Sequence, residues 1–252
     1  MDKLIYTALT GLSARARQAQ VTANNLANAQ VPGFRREIVA QEGRYLDARR
    51  AADGAFEARA LVGAPSLSTP ALPGKVQATG RGLDLALAGD AWLAVQGPVI
   101  GGAVQEAYTR RADLSVTAGG LVVNGDGRVV LGANNAPISV PPGAAISIAA
   151  DGRITAGLPD GPAAIGQLKL VNGAALSGRD KGSDGLFMPE NPLPADASAR
   201  VETGALESAN ITAAQALVEL VEEQRGFEIN ARLIKLAQDM DEQGARLMRL
   251  DG

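Results

Sequence analysis

Residues 2–28 read DKLIYTALTGLSARARQAQVTANNLAN, and residues 211–250 read ITAAQALVELVEEQRGFEINARLIKLAQDMDEQGARLMRL. In the first stretch Ile5, Leu9, Leu12, Ala16, Ala19, Ala23 and Leu26 recur with alternating gaps of four and three. In the second, Ala213, Leu217, Leu220, Gln224, Phe227, Ala231, Ile234, Gln238, Asp241, Ala245 and Met248 do the same. A period of about 3.5 residues puts one side chain per turn on a narrow seam, the geometry with which helices pack along each other. The second helix is expected to start near Ile211 with Asn210 as its N-cap. It runs about 38 residues, or roughly 55–60 Å at 1.5 Å per residue. Few globular domains bury such a helix alone. The seams also suit an antiparallel hairpin of the two end helices within one monomer, and the excess length favours additional partner chains. A chain whose two ends match in this way is organised for assembly more than for chemistry.

Composition narrows the chemistry further. Cysteine and histidine are both absent, which removes disulfides, thiol nucleophiles, the usual zinc ligands and the common general base. Lys plus Arg number 24 against 27 for Asp plus Glu, a formal net charge of −3. Nucleic-acid binding asks for a concentrated basic face, and no basic run exceeds short pairs such as Arg35-Arg36 and Arg49-Arg50, both read here as solvated. Met1–Thr10 lacks the basic start and apolar run of a signal peptide, and no stretch approaches the ~20 apolar residues of a membrane span. The expectation is a protein that stays in the cytosol or is exported without a cleaved signal. Thirty glycines and thirteen prolines with 3% aromatics predict many turns and thin, small-residue packing.

The first helix is expected from Asp2, as N-cap or as a charge favouring the positive end of the helix dipole, to about Asn28, with Gly11 marking a tight packing contact. Val31-Pro32-Gly33 stops it, Gly33 supplying the positive φ of a type II turn. A short helix is read over residues 40–52, followed by a Pro-punctuated connector from Ala64 to Gly74. Turn signals then recur every eight to twelve residues. Leu83, Leu85 and Leu87 alternate with polar or small residues, and Trp92, Ala94 and Gln96 continue the two-residue period after a Gly89-Asp90 turn. Asn124-Gly125-Asp126-Gly127 between two Val-rich runs is a strong hairpin signal. Ala150-Asp151-Gly152 marks another turn, Gly166–Val171 another strand, and the Pro-rich Met188–Pro194 an exit. The organisation is α+β: a terminal α-helical coiled-coil domain made by residues 1–34 with 205–252, an extended connector over 35–74, and a central mainly β domain over 75–204.

Several motifs imitate chemistry. Thr79-Gly80-Arg81-Gly82-Leu83 lacks a P-loop lysine and a following helix, and reads as a turn. Asn124–Gly127 lacks the remaining ligands of a calcium loop. Glu219, Glu222 and Glu223 are spaced as a solvated helix face that pairs with Arg225. Asp84 and Asp90 are the carboxylates on which a cell-wall glycosidase or carbohydrate-binding alternative would rest, and surface turn carboxylates are far commoner. Asn24, Asn25 and Asn28 need more explanation, because asparagine is a mediocre helix former. Helix C-capping accounts for Asn28. A register-setting amide network accounts for all three. Gln224 and Gln238 interrupt the second seam in the same manner.

These residues also carry a signature. Ala23-Asn24-Asn25-Leu26-Ala27-Asn28 followed by Val31-Pro32-Gly33-Phe34-Arg35-Arg36 resembles the N-terminal motif of bacterial flagellar rod and hook proteins. Leu206-Glu207-Ser208-Ala209-Asn210-Ile211 with Gln224-Arg225-Gly226-Phe227-Glu228 resembles the matching C-terminal motif. Gly89–Gln96 and Ala107-Tyr108-Thr109-Arg110 fit the family's centre. The opening Met1–Ala8, Trp92 and the modest length resemble the proximal-rod members, with distal-rod and hook members as the alternative. The chain departs from the pattern at Val31, where the family usually has Thr, and at Arg111-Ala112, where it usually has Asp-Gly. The resemblance implies a structural subunit of the basal-body rod, with an axial coiled-coil layer inside and the β domain outside. It implies passage through the flagellar type III export apparatus into the periplasm, and polymerisation with other rod subunits and with itself into a torque-transmitting shaft. The assembly residues expected from seams and motif are Ile5, Leu9, Leu12, Asn24, Asn25, Leu26, Asn28, Asn210, Leu217, Leu220, Gln224, Phe227 and Ile234. No catalytic, cofactor or metal site is expected, and neither nucleic acid nor a membrane span.

Overall fold

The computed structural model describes residues 2–40, 43–47, 58–62, 66–70, 72–141, 143–159, 161–176, 181–182 and 184–250. The chain divides into two compact units. The end unit takes Met1–Ala27, Glu37–Ser68 and Ala213–Gly252, and the central unit takes Asn28–Arg36 and Thr69–Thr212. None of the described helices is long and apolar enough to cross a membrane.

The end unit holds helices α1 (Asp2–Ala27) and α2 (Ala213–Leu250) with strands β1 (Ile38–Ala40), β2 (Gly43–Asp47), β3 (Ala58–Val62) and β4 (Ser66–Ser68). The helices form where the 3.5-residue period lies, and α1 packs on α2, on β1 and on β3. β1 pairs with β4 and β2 with β3, both antiparallel. The short helix expected over 40–52 is therefore replaced by strand at Gly43–Asp47. Pairing with Ala58–Val62 overrides a local helical preference there, as tertiary context often does. Residues 48–57, including Arg49 and Arg50, lie outside the described residues. So do the side chains of residues 1–8, on which the capping role of Asp2 rests.

The buried side of α1 carries Ala14, Val21, Thr22 and Asn25, and the buried side of α2 carries Ala216. Gly11 has nothing within 4 Å of where a Cβ would stand, so it marks no close contact in the described structure. The close approach lies on the other helix. A Cβ at Gly226 of α2 would stand 2.8 Å from the Arg15 guanidinium of α1. Arg15 also meets Glu223 at 3.3 Å, so this acidic residue pairs across the helices.

The central unit is built from β5 (Val76–Ala78), β6 (Leu85–Leu87), β7 (Ala91–Ile100), β8 (Ala103–Thr109), β9 (Ser115–Val116), β10 (Val122–Val123), β11 (Ala145–Ile148), β12 (Arg153–Leu158), β13 (Gly161–Gln167), β14 (Leu170–Asn172), β15 (Val201–Thr203) and β16 (Ala205–Glu207). They make the antiparallel groups β14-β7-β8, β11-β12-β13, β6-β15, β5-β16 and β9-β10. β7 organises the core because it is buried on both faces. Leu93 and Val95 enter a large cluster with Leu85, Leu114, Ile154 and Leu186. Ala94 enters a second with Tyr108, Leu131, Val171 and Phe187, and Trp92 packs at its edge.

The expected turns fall where turn chemistry put them. The Gly127 amide donates to the Asn124 carbonyl at 2.8 Å, and the Asn124 side chain accepts from the Asp126 and Arg128 amides. Ile148 and Ile154 face each other across the 150–152 turn. Gly80 adopts a φ of 75° in the 79–83 turn.

Candidate assembly site: a buried ion cluster where the end motifs meet

The central unit contains the segment that follows α1 and the segment that precedes α2, and it sets them side by side. After α1, Val31–Phe34 form a turn in which the Phe34 amide donates to the Val31 carbonyl at 3.2 Å and Gly33 has a φ of 68°. A Cβ at Gly33 would stand 2.3 Å from the Arg110 carbonyl oxygen. Both conformation and space thus demand glycine. The Gly33 amide donates to the Glu207 carbonyl at 2.7 Å.

Beneath this turn lies a cluster of charge. The Glu207 carboxylate is 3% exposed and accepts from Arg35 at 3.1 Å on one oxygen and from Arg110 Nε at 2.7 Å on the other. Arg110 then donates Nη1 to the Gly89 and Ala91 carbonyls and Nη2 to the Leu87 carbonyl, at 2.7–2.8 Å. Nη2 also meets the Glu207 carboxylate at 2.5 Å, so every N–H of that guanidinium is engaged, the condition under which a buried arginine is tolerated. Arg35 also donates to the Leu72 carbonyl. The Gly74 amide reaches the Arg35-facing oxygen of Glu207 at 2.7 Å. Burial first, and then the like charge of Arg110, draw the Arg35 guanidinium below its ordinary pKa, against the opposing pull of Glu207 and Asp90. Lys181 closes the outer side, standing 4.3 Å over the Phe34 ring and donating to the Arg35 carbonyl at 2.7 Å.

Asn210 completes the clamp. Its side-chain oxygen accepts from the Arg36 amide at 2.7 Å and its amide donates to the Leu72 carbonyl at 3.0 Å. It does not cap α2, which starts three residues later at Ala213, because both functions of its side chain are occupied here. Arg35 departs from expectation as well. Read as solvated, it is 5% exposed, since Glu207 compensates a charge that would otherwise stay in water.

The other expected assembly residues lie in the end unit or at its edge. Asn25 is 1% exposed, and its amide both donates to the Glu37 carbonyl at 2.7 Å and accepts from the Glu37 amide at 2.9 Å. Asn24, Asn28, Leu12, Leu26, Leu220 and Ile234 are half-buried. Leu9, Leu217 and Phe227 are 54%, 50% and 44% exposed, Gln224 is exposed, and the Ile5 side chain is outside the described residues. Asp84, half of the glycosidase alternative, is buried and bonded to Arg81 at 2.6 Å. Sequence reasoning missed Arg35, Arg110 and Glu207 as one site, although each lies inside a different signature motif. That distribution was the available signal.

Three family models match the chain. One described as flagella basal body rod protein matches residues 5–35, one described as flagellar hook protein FlgE/F/G D1 domain matches 86–156, and one described as flagellar basal body rod FlgEFG protein C-terminal matches 202–247. The cluster draws Arg35 from the first, Arg110 from the second and Glu207 from the third. The chain is 38% identical over 251 residues to the flagellar basal-body rod protein FlgF of Escherichia coli K12, covering 95% of each chain. It is 35% identical to the FlgF protein of Salmonella typhimurium, covering 99% of this chain and 100% of the relative. With the flagellar basal-body rod protein FlgG of Bacillus subtilis it shares 27% identity over 99% of this chain and 100% of the relative.

Proposed function

The chain belongs to the flagellar basal-body rod protein family and is a structural subunit of that rod, and from this premise we propose how it assembles. The subunit polymerises through α1 and α2, which join those of neighbouring rod subunits and further copies of itself in a coiled-coil layer along the shaft. It occupies the proximal part of the rod, reaches the periplasm through the type III export apparatus, and transmits torque without catalysing a reaction. Higher identity to relatives named FlgF than to one named FlgG supports the proximal position.

The observation that carries the reading is the apolar surface of α2. Leu217, Val218, Val221, Phe227, Ile229, Leu233, Leu236 and Met240 are all between 44% and 60% exposed. Burying each such side chain fully contributes about 1.5–3 kcal/mol, and an apolar patch running several turns along one helix marks an interaction surface. Leu217→Asp tests it, because assembly would bury an unpaired charge at a cost of several kcal/mol. Secretion should continue while rod incorporation and motility fail; motile cells with normal basal bodies would show that this surface is not an assembly face. Complementation tests the position: the chain should restore motility to cells lacking their FlgF protein and not to cells lacking their FlgG protein.

A further inference from the structure

The chain carries four methionines and no cysteine. With no thiol to intercept an oxidant, the thioether sulfurs are its softest nucleophiles. Two of them differ sharply in surroundings. Met188 is half-buried and packs against the main apolar cluster of the central unit. Met240 lies in α2 and is 58% exposed. The side chains of Met1 and Met248 lie outside the described residues.

Met240 does not stand alone on the surface. Ile229, Leu233, Leu236 and Met240 follow one another at gaps of four, three and four, the spacing that keeps side chains on one face of a helix. The first three are 59%, 48% and 58% exposed. Met240 thus extends an apolar stripe on the helix through which assembly is proposed above. The stripe faces solvent in the free subunit, and packing it against a neighbour requires Met240 to stay apolar.

Oxidation removes that property. A sulfur lone pair attacks one oxygen of hydrogen peroxide, the O–O bond breaks, and the second oxygen leaves as hydroxide. The new S–OH group gives up its proton to that hydroxide, so the products are a sulfoxide and water. Sulfur loses two electrons and the peroxide gains them. The sulfoxide oxygen is a polar acceptor on what was an apolar side chain. In the free subunit water solvates it, whereas in an apolar seam it gives up that water with no donor in exchange.

We propose that Met240 is a redox-sensitive modification site of the free subunit, whose sulfoxide keeps the chain out of the rod until it is reduced. Assembly covers the stripe and ends the exposure, so a subunit is open to peroxide only before it is built in. Methionine sulfoxide is returned to methionine by dedicated reductases, which makes the exclusion reversible. The device adds no charge and leaves the helix backbone alone; it acts only on what the stripe can pack against. This inference rests on the assembly face assigned to α2 above.

The test treats the purified full chain and isolated basal bodies with hydrogen peroxide and follows the oxygen gained at each methionine by peptide mass spectrometry. In the free chain Met240 should oxidise about tenfold or more faster than Met188, as exposure dictates, and in basal bodies Met240 should be protected. Two variants then read the consequence in cells. Met240→Gln puts a polar group at the same place with almost the same helix propensity. Its incorporation into basal bodies should fall about tenfold or more, the effect of one buried polar group left unpaired. Met240→Leu should enter like the parent, and should keep entering when sublethal peroxide lowers the parent's incorporation. Equal oxidation of Met240 and Met188 in the free chain overturns the proposal. So does equal oxidation of Met240 in the free chain and in basal bodies, or a Met240→Gln chain that enters as well as the parent. In each case the exclusion of Leu217→Asp from basal bodies would leave the assembly face standing, whereas absence of the parent chain from basal bodies would overturn the rod reading itself.

Discussion

At the scale of single residues, Glu207 has the largest expected consequences. Its carboxylate is bonded to both Arg35 and Arg110, and it also accepts the Gly74 amide. Glu207→Ala leaves two buried guanidiniums facing each other, and breaking a buried pair from one side costs about 3–5 kcal/mol. The urea midpoint of the central unit should drop accordingly, and an unchanged midpoint would mean the cluster contributes nothing net. Tyr108 offers a test by pH. Burial, and then the negative Glu106 beside it, raise its phenol above the ordinary value, although the bond from the Leu193 amide works the other way. The native state then holds the phenolic proton more tightly than the unfolded chain does. This contribution is fully present below the unfolded value of about 10 and is lost as pH climbs above it. Unfolding measured above about pH 10 should show stability falling with pH, and Tyr108→Phe should flatten that slope.

At the scale of elements, the heptad seams specify more apolar surface than one hairpin of helices covers. Among the described side chains of α1 the buried ones are Ala14, Val21, Thr22 and Asn25, whereas Leu9 of the expected seam is exposed. A helix carries several stripes three or four residues apart, and the pattern alone does not say which stripe meets which neighbour. Asn25 shows how a buried amide acts between elements. By bonding both polar groups of the Glu37 backbone, it fastens the last turn of α1 to the chain just before β1. Asn25→Ala should leave helix content unchanged, since alanine is the better helix former. It should remove the two bonds to the Glu37 backbone, at about 1–3 kcal/mol in the stability of the end unit. Circular dichroism with a denaturation curve separates the two effects. A variant as stable as the parent would mean that water replaces the amide at no cost.

At the scale of the whole molecule, the two units differ in what supports them. The central unit has two apolar clusters and a β7 strand whose Leu93, Ala94 and Val95 are fully buried. The long α2 keeps most of its large apolar side chains at least 44% exposed, and solitary helices owe most of their stability to packing. Hydrogen exchange on the monomer should therefore be fast in α1 and α2 and slow in β7, β8, β12 and β14. Equal protection throughout would mean that the end helices form a self-sufficient pair and do not await partners. Some of this organisation is local and was readable from the chain. Helical periodicity placed α1 and α2 within a few residues of their observed bounds, and Asn, Asp and Gly in sequence placed the 124–127 and 150–152 turns. Backbone geometry over a handful of residues decides such features, and those residues are neighbours in sequence. Other features depend on which distant residues fold together. Arg36 and Asn210 are 174 positions apart and Arg110 and Glu207 are 97 apart, so no periodicity or turn signal links them. Whether Arg35 is solvated or buried, whether Asn210 caps a helix or clamps a turn, and whether residues 43–47 coil or extend all turned on partners supplied by the fold. The sequence by itself determined the elements and their punctuation, because these rest on short-range sterics and side-chain period. Only the tertiary structure decided the ion cluster and the working faces of the helices, because the energy of a buried charge or an apolar stripe is defined by what packs against it.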